Sequence, residues 1–373
     1  MRHLYLITLL GALGLSAQAA QVSVDTLSPD DVSKAVAAIR ENYVRKDSLT
    51  DSDMARATLQ GLLDRLSSAV TLTATESAPV AAPFYSEAPD GKTGYLRVGA
   101  LNPRNVDLAK QVLATWTAQD IGAVVLDLRG SPASDDFTTT AATLAGCFCP
   151  KGTMLLGLES EPPSKAEMES STPPDGAPAS NANTKLIVRG TQTTVRDYAM
   201  AKGSPVFSGV LVVLIDSDTA QAPEALAAFL QKCAKALVVG DKSAGQPYSY
   251  HDIPLGGATL RVAVAQAVLP DGAKISGVTP DIAVGIGSAS RETLMETVSA
   301  RGVASVTSER DRPHLNEVAL VTGSDPEVDE LEAEQSAQKP AQPLIDRQLQ
   351  RALDLVTSIS IYQAKSAAVP PGE

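Results

Sequence analysis

The sequence is short of the residues from which metal centres and disulfide frameworks are built. Its 373 residues include three cysteines and three histidines, and aromatic residues make up 4%. The odd number of cysteines, Cys147, Cys149 and Cys233, excludes a fully paired disulfide framework. After the amino-terminal stretch the histidines are His251 and His314, which lack the spacing of metal ligands. The sequence therefore predicts neither a disulfide-rich fold nor a metal, and we predict no cofactor.

The three cysteines leave two interpretations open. Cys147 and Cys149 are two positions apart, which places them poorly for a bridge to each other. Either all three are small buried hydrophobic residues, or one of this pair forms a long-range bridge to Cys233.

Long hydrophobic runs are also scarce. An apolar stretch over residues 4–15 follows Arg2 and precedes the small residues 16–20, a pattern typical of a secretory signal peptide. Residues 1–20 are therefore predicted to be removed, which makes the mature chain periplasmic or secreted. The alternative is a form tethered to the membrane by an uncleaved signal. No later segment approaches the roughly 20 apolar residues of a membrane helix. We predict no transmembrane helix after signal removal.

Positive charge is limited, with 31 Lys+Arg against 43 Asp+Glu and a net charge of −12. Removal of the signal segment, which carries one basic residue and no acidic one, brings the net charge to −13. Such a surface repels phosphate groups, so nucleic acid is excluded as a partner. The hydrophobic content of 44% is ordinary for a globular protein.

Strand and helix patterns alternate along the middle of the chain. The predicted organisation is a signal peptide (1–20), an amino-terminal helical segment (21–66), a linker (67–93), a core (94–322) with a mobile insertion (159–184), and an acidic linker with a carboxyl-terminal helix (323–373). The predicted core elements are strand 95–98, helix 106–119, strand 123–128, helix 135–145, strand 210–215, helix 223–234, strand 236–240 and a hairpin over 259–269 with a turn at 270–272. A strand, a helix and a strand in this order predict parallel strands joined by a crossover, hence an α/β fold.

Several short motifs occur in an order that points to one family. Residues 125–129 read V-L-D-L-R, residues 277–281 read G-V-T-P-D, and residues 346–353 read D-R-Q-L-Q-R-A-L. Together with blocks at 39–44, 94–98, 144–152, 209–215, 236–240 and 269–272, they resemble a C-terminal processing peptidase, or tail-specific protease, an exported serine peptidase with a Ser/Lys dyad. The resemblance implies the core of that family, a mixed sheet with crossover helices, flanked by amino-terminal helices and a carboxyl-terminal helix.

The chain departs from that family before the first core strand. Members usually carry a PDZ domain there, and in this sequence the interval is residues 67–93. This interval is too short for such a domain, so we expect this chain to lack the PDZ domain that the family usually has.

A second departure concerns the dyad. Residues 219–224 read T-A-Q-A-P-E where the family has S-A-S-A-S-E, which places Gln221 at the nucleophile position. Residues 243–247 read S-A-G-Q-P where the family has T-F-G-K-G, which places Gln246 at the position of the basic lysine. Tyr250 replaces the family's supporting glutamine. A primary amide can be neither nucleophile nor general base, so the alignment predicts loss of hydrolysis.

The oxyanion hole is also altered in the alignment. The resemblance implies backbone donors at Ala133 and Ala222, and the family's N-P-G-G turn becomes the G-S-P-A-S of residues 130–134. Both glycines are lost, and glycine permits a positive φ at little cost. Loss of one oxyanion donor typically costs about 10²–10³ in rate.

The residues leave several functions open. The leading hypothesis is a non-catalytic homologue whose Gln221 and Gln246 amides contact a peptide or unfolded segment, or which partners with an active peptidase. The same glutamines are alternatively ordinary polar residues in a closed cleft. The alternative is an active serine endopeptidase with a displaced nucleophile, Ser217 or Ser243, with Lys242 as base. Neighbouring side chains on an extended segment point in opposite directions, which disfavours Lys242 as the base for Ser243. A third hypothesis is a purely structural envelope protein.

Overall fold

The computed structural model describes residues 27–42, 49–74, 81–161, 184–189, 192–286, 290–307 and 344–368. The chain forms two compact units, residues 1–65 and 66–373. The predicted signal peptide, nearly all of the predicted insertion and the acidic linker up to residue 343 lie outside the described residues. None of the helices in the described part combines the length and apolar character needed to cross a bilayer.

Two helices with side-chain caps make up the described part of the first unit. They are α1 (Pro29–Asn42) and α2 (Asp51–Leu66), whose last residue falls in the second unit. The backbone N–H of Asp53 donates to the Thr50 hydroxyl at 3.2 Å, and the N–H of Thr50 donates to the Asp53 carboxylate at 3.1 Å. This reciprocal pair satisfies donors that a helix start leaves without partners. Neither helix contains a buried residue.

The second unit contains the strands and the remaining helices. The strands are β1 (Val70–Ala74), β2 (Tyr85–Glu87), β3 (Thr93–Arg97), β4 (Ala123–Asp127), β5 (Met154–Ser160), β6 (Thr184–Arg189), β7 (Gln192–Met200), β8 (Val210–Ile215), β9 (Leu237–Gly240), β10 (Tyr248–Leu255), β11 (Ala258–Val268) and β12 (Ile282–Ala283). The helices are α3 (Pro103–Ala118), α4 (Ala142–Gly146), α5 (Gln221–Cys233), α6 (Arg291–Arg301) and α7 (Arg347–Ala368).

A central sheet with the order β12-β9-β8-β4-β3-β2 organises this unit. Its strands are parallel except β2, which pairs antiparallel with β3 at one edge. Both faces of the sheet are covered, which explains its continuous apolar strands. On β8, Val213 and Ile215 belong to the core cluster that includes α3 and α5, whereas Val212 and Leu214 belong to the cluster that includes α6 and α7. The predicted α/β class is therefore confirmed.

The second sheet is antiparallel, in the order β1-β11-β5-β7-β6, with β10 also paired to β11. β1 lies within the interval predicted as a linker, and its alternation of Val70 and Leu72 with threonines is a strand pattern.

The hairpin predicted over residues 259–269 is wrong in the position of its turn. Those residues lie in or directly after the single long strand β11, whose hairpin partner is β10. The reversal occurs at Gly256, which has a positive φ of 64° and supplies the conformation that such a turn requires. The turn at 270–272 does form, but it closes a single bridge between Val268 and Lys274.

The residues predicted as one helix, 135–145, form two helical segments in the structure. Residues Phe137–Ala141 form a π-helix, which leads into α4. The Asp136 carboxylate caps it by accepting the N–H groups of Thr139 and Thr140 at 3.1 and 3.3 Å. No sequence pattern distinguishes such a segment from an ordinary helix.

The cysteines form no disulfide in the structure. Cys147 and Cys149 are buried, as one of the two interpretations expects, whereas Cys233 is exposed. Burial raises the pKa of the Cys147 and Cys149 thiols to about 11.

A buried ion network fixes the end of β4. The Arg129 guanidinium contacts Asp127 at 2.7 Å and Asp346 at 2.8 Å, and all three side chains are at most 2% exposed. Gln348 accepts a further hydrogen bond from Arg129, and the Tyr95 hydroxyl donates to Asp127. This network joins the start of α7 to the centre of the sheet.

Candidate functional site

Three segments meet where the parallel strands β4, β8 and β9 end. Because these strands are neighbours, the segments that follow them lie at one edge of the sheet, the usual place for a site in an α/β fold. The N–H of Gln221 donates to the carbonyl of Gln246 at 3.1 Å, and the N–H of Ala222 donates to the carbonyl of Ser134 at 2.8 Å. The structure therefore brings together the two predicted dyad positions and the predicted oxyanion turn.

Gln221 lies on a sharp turn between strand and helix. It is the first residue of α5, is 2% exposed, and has a positive φ of 54° after the extended Ala220. A residue with a β-carbon pays roughly 1–2 kcal/mol for this conformation. Its amide Nε2 donates to the carbonyl of Tyr248 at 3.1 Å. The Gln221 side chain is therefore buried and bonded to the protein itself.

The segment with Gln246 has a different side-chain environment. Its backbone is fixed, because the N–H donates to Glu224 at 2.8 Å and the carbonyl accepts from Gln221. Its half-buried amide group makes no hydrogen bond within the described part of the chain. The Gln246 amide is thus available to a ligand, whereas that of Gln221 is engaged.

The predicted oxyanion donors differ in the same way. The N–H of Ala222 is occupied by Ser134, and the N–H of the exposed Ala133 donates to no acceptor among the described residues. Within this turn the positive φ belongs to Gly130 and to neither Ala133 nor Ser134. Ala133 and Ser134 thus have backbone conformations that ordinary residues adopt without strain, and the Ser134 carbonyl occupies the N–H of Ala222.

Glu224 is a central residue of the site that the sequence reasoning did not assign. Its carboxylate is fully buried and accepts the N–H groups of Gly245 and Gln246 at 2.7 and 2.8 Å, together with the hydroxyl of Ser243. Burial raises the pKa of Glu224 above its ordinary value, although the hydrogen bonds lower it. The matching glutamate of the S-A-S-A-S-E motif was the signal that could have identified it.

The alternative nucleophiles are not placed beside a base. Ser243 is buried, and its hydroxyl donates to Glu224 while accepting the Val278 N–H at 2.7 Å. Lys242 is exposed and hydrogen bonds to neither Ser243 nor Ser217 in the described structure. Ser217 is itself exposed.

Tyr250 does not reach Gln246 through its hydroxyl. That group donates to the Ser68 carbonyl at 2.6 Å, and the Arg261 guanidinium lies 4.7 Å from the ring centre. Burial raises the pKa of Tyr250 to about 12. Its contacts therefore hold the segment ahead of β1 against β10.

A cavity of about 440 Å³ borders the oxyanion turn. The turn residues Gly130–Ala133 form one wall, and α6 contributes Met295 and Arg291. The Arg291 guanidinium is paired with Asp216 and Asp218 at 2.8 Å each. This cavity has the size of a small ligand site.

The chain can now be compared with known proteins. Over 193 residues it is 25% identical to the C-terminal processing peptidase, chloroplastic, of Tetradesmus obliquus, a match that covers 51% of this chain and 34% of that protein. It thus spans about a third of that relative's length. Among solved structures it is similar to the photosystem II D1 C-terminal processing protease (22% identity, TM-score 0.39, 63% of this chain and 53% of the other). A second is a peptidase from Parabacteroides merdae (14% identity, TM-score 0.43, 73% and 85%).

The family assignment rests on the chain's own sequence. The model of peptidase family S41 matches residues 92–284, just over half of the chain, and this span includes β3, β4, β8, β9 and both glutamine positions. The predicted resemblance is confirmed at the level of the family: this chain belongs to peptidase family S41.

Proposed function

We propose that this chain is a non-catalytic member of its family that binds a peptide or an unfolded protein segment in the cell envelope. The observation that carries the proposal is the content of the site: amides occupy both dyad positions, and a carbonyl occupies the N–H of Ala222. Export is part of the proposal and is supported by the amino-terminal sequence pattern.

The absence of hydrolysis follows from the chemistry of the two amides. Covalent catalysis requires a group that can lose a proton and bond to the substrate carbon, and a base with a pKa near the working pH. Gln221 and Gln246 have neither property. The hydroxyl of Ser243, a buried serine three positions before Gln246, donates to Glu224 and accepts from the Val278 N–H.

Binding is supported by the groups that the protein leaves available. The Gln246 amide offers donors and an acceptor, which are the complements of a peptide backbone. The Ala133 N–H offers another donor, and Ala133 lines the cavity of about 440 Å³, which is large enough for a side chain of a bound peptide. The same binding fits a second role, in which this chain forms a complex with an active peptidase and presents a substrate to it.

Two measurements test the proposal on the purified full chain. We expect no labelling by a serine-reactive fluorophosphonate and no cleavage of casein above background. In fluorescence anisotropy with unfolded casein, we expect Gln246→Ala to weaken binding several-fold, because one hydrogen bond is worth about 1 kcal/mol. Gln111→Ala, a change of the same kind on the exposed face of α3, should leave it unchanged.

The opposite results have clear meanings. Labelling that disappears in Ser217→Ala or Ser243→Ala would establish an active peptidase with a displaced nucleophile. If casein does not bind at all, the peptide-binding function is wrong and a structural role is favoured.

A further inference from the structure

A second cavity, of about 330 Å³, lies away from the oxyanion turn, where α3, the π-helical segment, α4 and the end of β7 meet. Its wall includes small and apolar groups of Ala142, Gly146, Cys147, Leu155 and Ala201. All of these except Gly146 are buried. The base of the cavity is therefore suited to an apolar group.

Six further lining residues carry a positive charge or a hydroxyl group. Lys110 and Lys202 line the cavity and are exposed, and neither forms an ion pair with a described carboxylate. Four hydroxyl residues complete this part, namely Thr138, Thr139, Thr143 and Ser204. Among the residues that the structure describes, no acidic one lines the cavity, in a chain whose net charge is −12. Such a concave, positive region attracts anions.

The backbone beside this cavity is unusual as well. Thr138 and Thr139 belong to the π-helix, and π-helical turns are rare and frequently found at functional sites. The cavity at the oxyanion turn has the opposite charge, since it is lined by three carboxylates and one guanidinium. An anionic ligand is thus favoured at the cavity near Lys110 and disfavoured at the other.

We propose that this cavity binds a carboxylate joined to a small apolar group, and that its occupant is the carboxyl-terminal residue of a peptide. The apolar side chain would lie among Ala142, Leu155 and Ala201, and the terminal carboxylate would lie between Lys110 and Lys202. A volume near the lower end of the roughly 300–1,000 Å³ of ligand pockets fits one residue better than a long acyl chain. The choice of a peptide as occupant rests on the proposed function.

The test uses a ligand of one residue, so that binding does not depend on the cleft at Gln246. N-acetyl-leucine and N-acetyl-leucinamide are titrated into the full-length protein and followed by NMR chemical shifts. We expect saturable binding of the acid and clearly weaker binding of the amide. The double variant Lys110→Gln/Lys202→Gln should weaken binding of the acid by roughly 3- to 10-fold, since each pair is solvent-exposed.

Two further variants separate the site from general effects. Lys92→Gln/Lys232→Gln removes the same charge from two other exposed positions and should leave binding of the acid unchanged. Gly146→Ala adds a methyl group that would lie 3.7 Å from Leu155, an ordinary contact, and should weaken binding without loss of the fold.

The remaining outcomes overturn either the whole proposal or its peptide assignment. Equal binding of acid and amide, equal loss in the control variant, or no saturable binding of the acid overturns it. If hexanoate binds as tightly as N-acetyl-leucine while a leucine-terminated tetrapeptide does not bind, the occupant is a free carboxylate and the peptide assignment is wrong. If N-acetyl-leucine binds but unfolded casein does not bind the cleft, the proposed function fails while this site stands.

Discussion

The ends of two neighbouring strands, β4 and β8, contrast in what they preserve. After β4, Arg129 is 1% exposed and bonded to Asp127 and Asp346, so the residues of the D-L-R motif keep a complete ion network. After β8, the backbone keeps a strained turn at Gln221 that contacts the loop of Gln246, yet neither side chain can ionise. In this chain the residues that hold the frame of the site are distinct from the residues at the dyad positions.

Glu224 explains how this frame is held without a side chain from either predicted dyad position. It belongs to α5, but its hydrogen bonds fix Ser243, Gly245 and Gln246 in the next loop. Neither dyad position contributes a side chain to that contact. The support of this loop therefore does not depend on the side chains at positions 221 and 246.

The largest effect is expected at the network of Arg129. Arg129→Met would leave the carboxylates of Asp127 and Asp346 buried together without a counter-charge. Breaking a buried ion pair in this way typically costs about 3–5 kcal/mol. The free energy of unfolding, obtained from urea denaturation, measures this loss of stability.

An exposed ion pair provides the control for that measurement. Arg261 and Asp252 lie 2.9 Å apart, a distance similar to those of the Arg129 pairs, but both are partly exposed. Arg261→Met should cost about 1 kcal/mol or less. If Arg129→Met costs no more than Arg261→Met, the buried network is not what stabilises the end of β4.

A smaller loss is expected at Glu224. Glu224→Gln keeps the shape of the side chain but turns an NH₂ group, which cannot accept a hydrogen bond, toward a backbone N–H that now donates to an oxygen of Glu224. A buried donor left without an acceptor costs about 1–3 kcal/mol. Chemical unfolding of this variant measures the loss, and Glu296→Gln, the same change on an exposed part of α6, should have almost no effect.

The pH dependence of that loss provides a second measurement. Because burial raises the pKa of Glu224 above its ordinary value of 4.5, the folded state holds the proton more tightly than the unfolded state. The stability that Glu224 contributes is thus fully present below pH 4.5 and declines as the pH rises through the folded pKa. The difference in stability between wild type and Glu224→Gln should therefore decrease across that range. A difference that grows with pH would mean that the carboxylate is held as the anion.

Most of the central sheet could be predicted because its strands and helices have strong local patterns. Val210–Ile215 is a continuous apolar run, and the helix after it has the expected period, so both appear where the sequence placed them. The alignment of two short motifs also paired positions 221 and 246, whose backbones do meet.

The contacts that define the site's state could not be predicted in the same way. The bond from the Ala222 N–H to Ser134 and the bond from Tyr250 to Ser68 join residues far apart in the chain, and no periodicity encodes them. The pairing of β1 with β11 is of the same kind, since it depends on which strand edge is left open.

The smallest effect is expected from restoring the dyad alone. In Gln221→Ser/Gln246→Lys the two side chains return, and nucleophile and base act as a unit, so a site with intact surroundings should regain hydrolysis. We expect no measurable turnover of a fluorogenic peptide. Circular dichroism verifies that the variant is folded.

The reason lies in the surroundings of the two positions. The Ala222 N–H, which an oxyanion would need, donates to Ser134 at 2.8 Å, and loss of an oxyanion donor alone costs about 10²–10³ in rate. Tyr250 donates to Ser68, so nothing at that position would orient a lysine at 246. Hydrolysis should require Ala133→Gly, Ser134→Gly and Tyr250→Gln in addition, since the glycines free the turn to move off Ala222. Robust turnover by the double variant would mean that the turn already opens and that only the dyad separates this chain from an active peptidase.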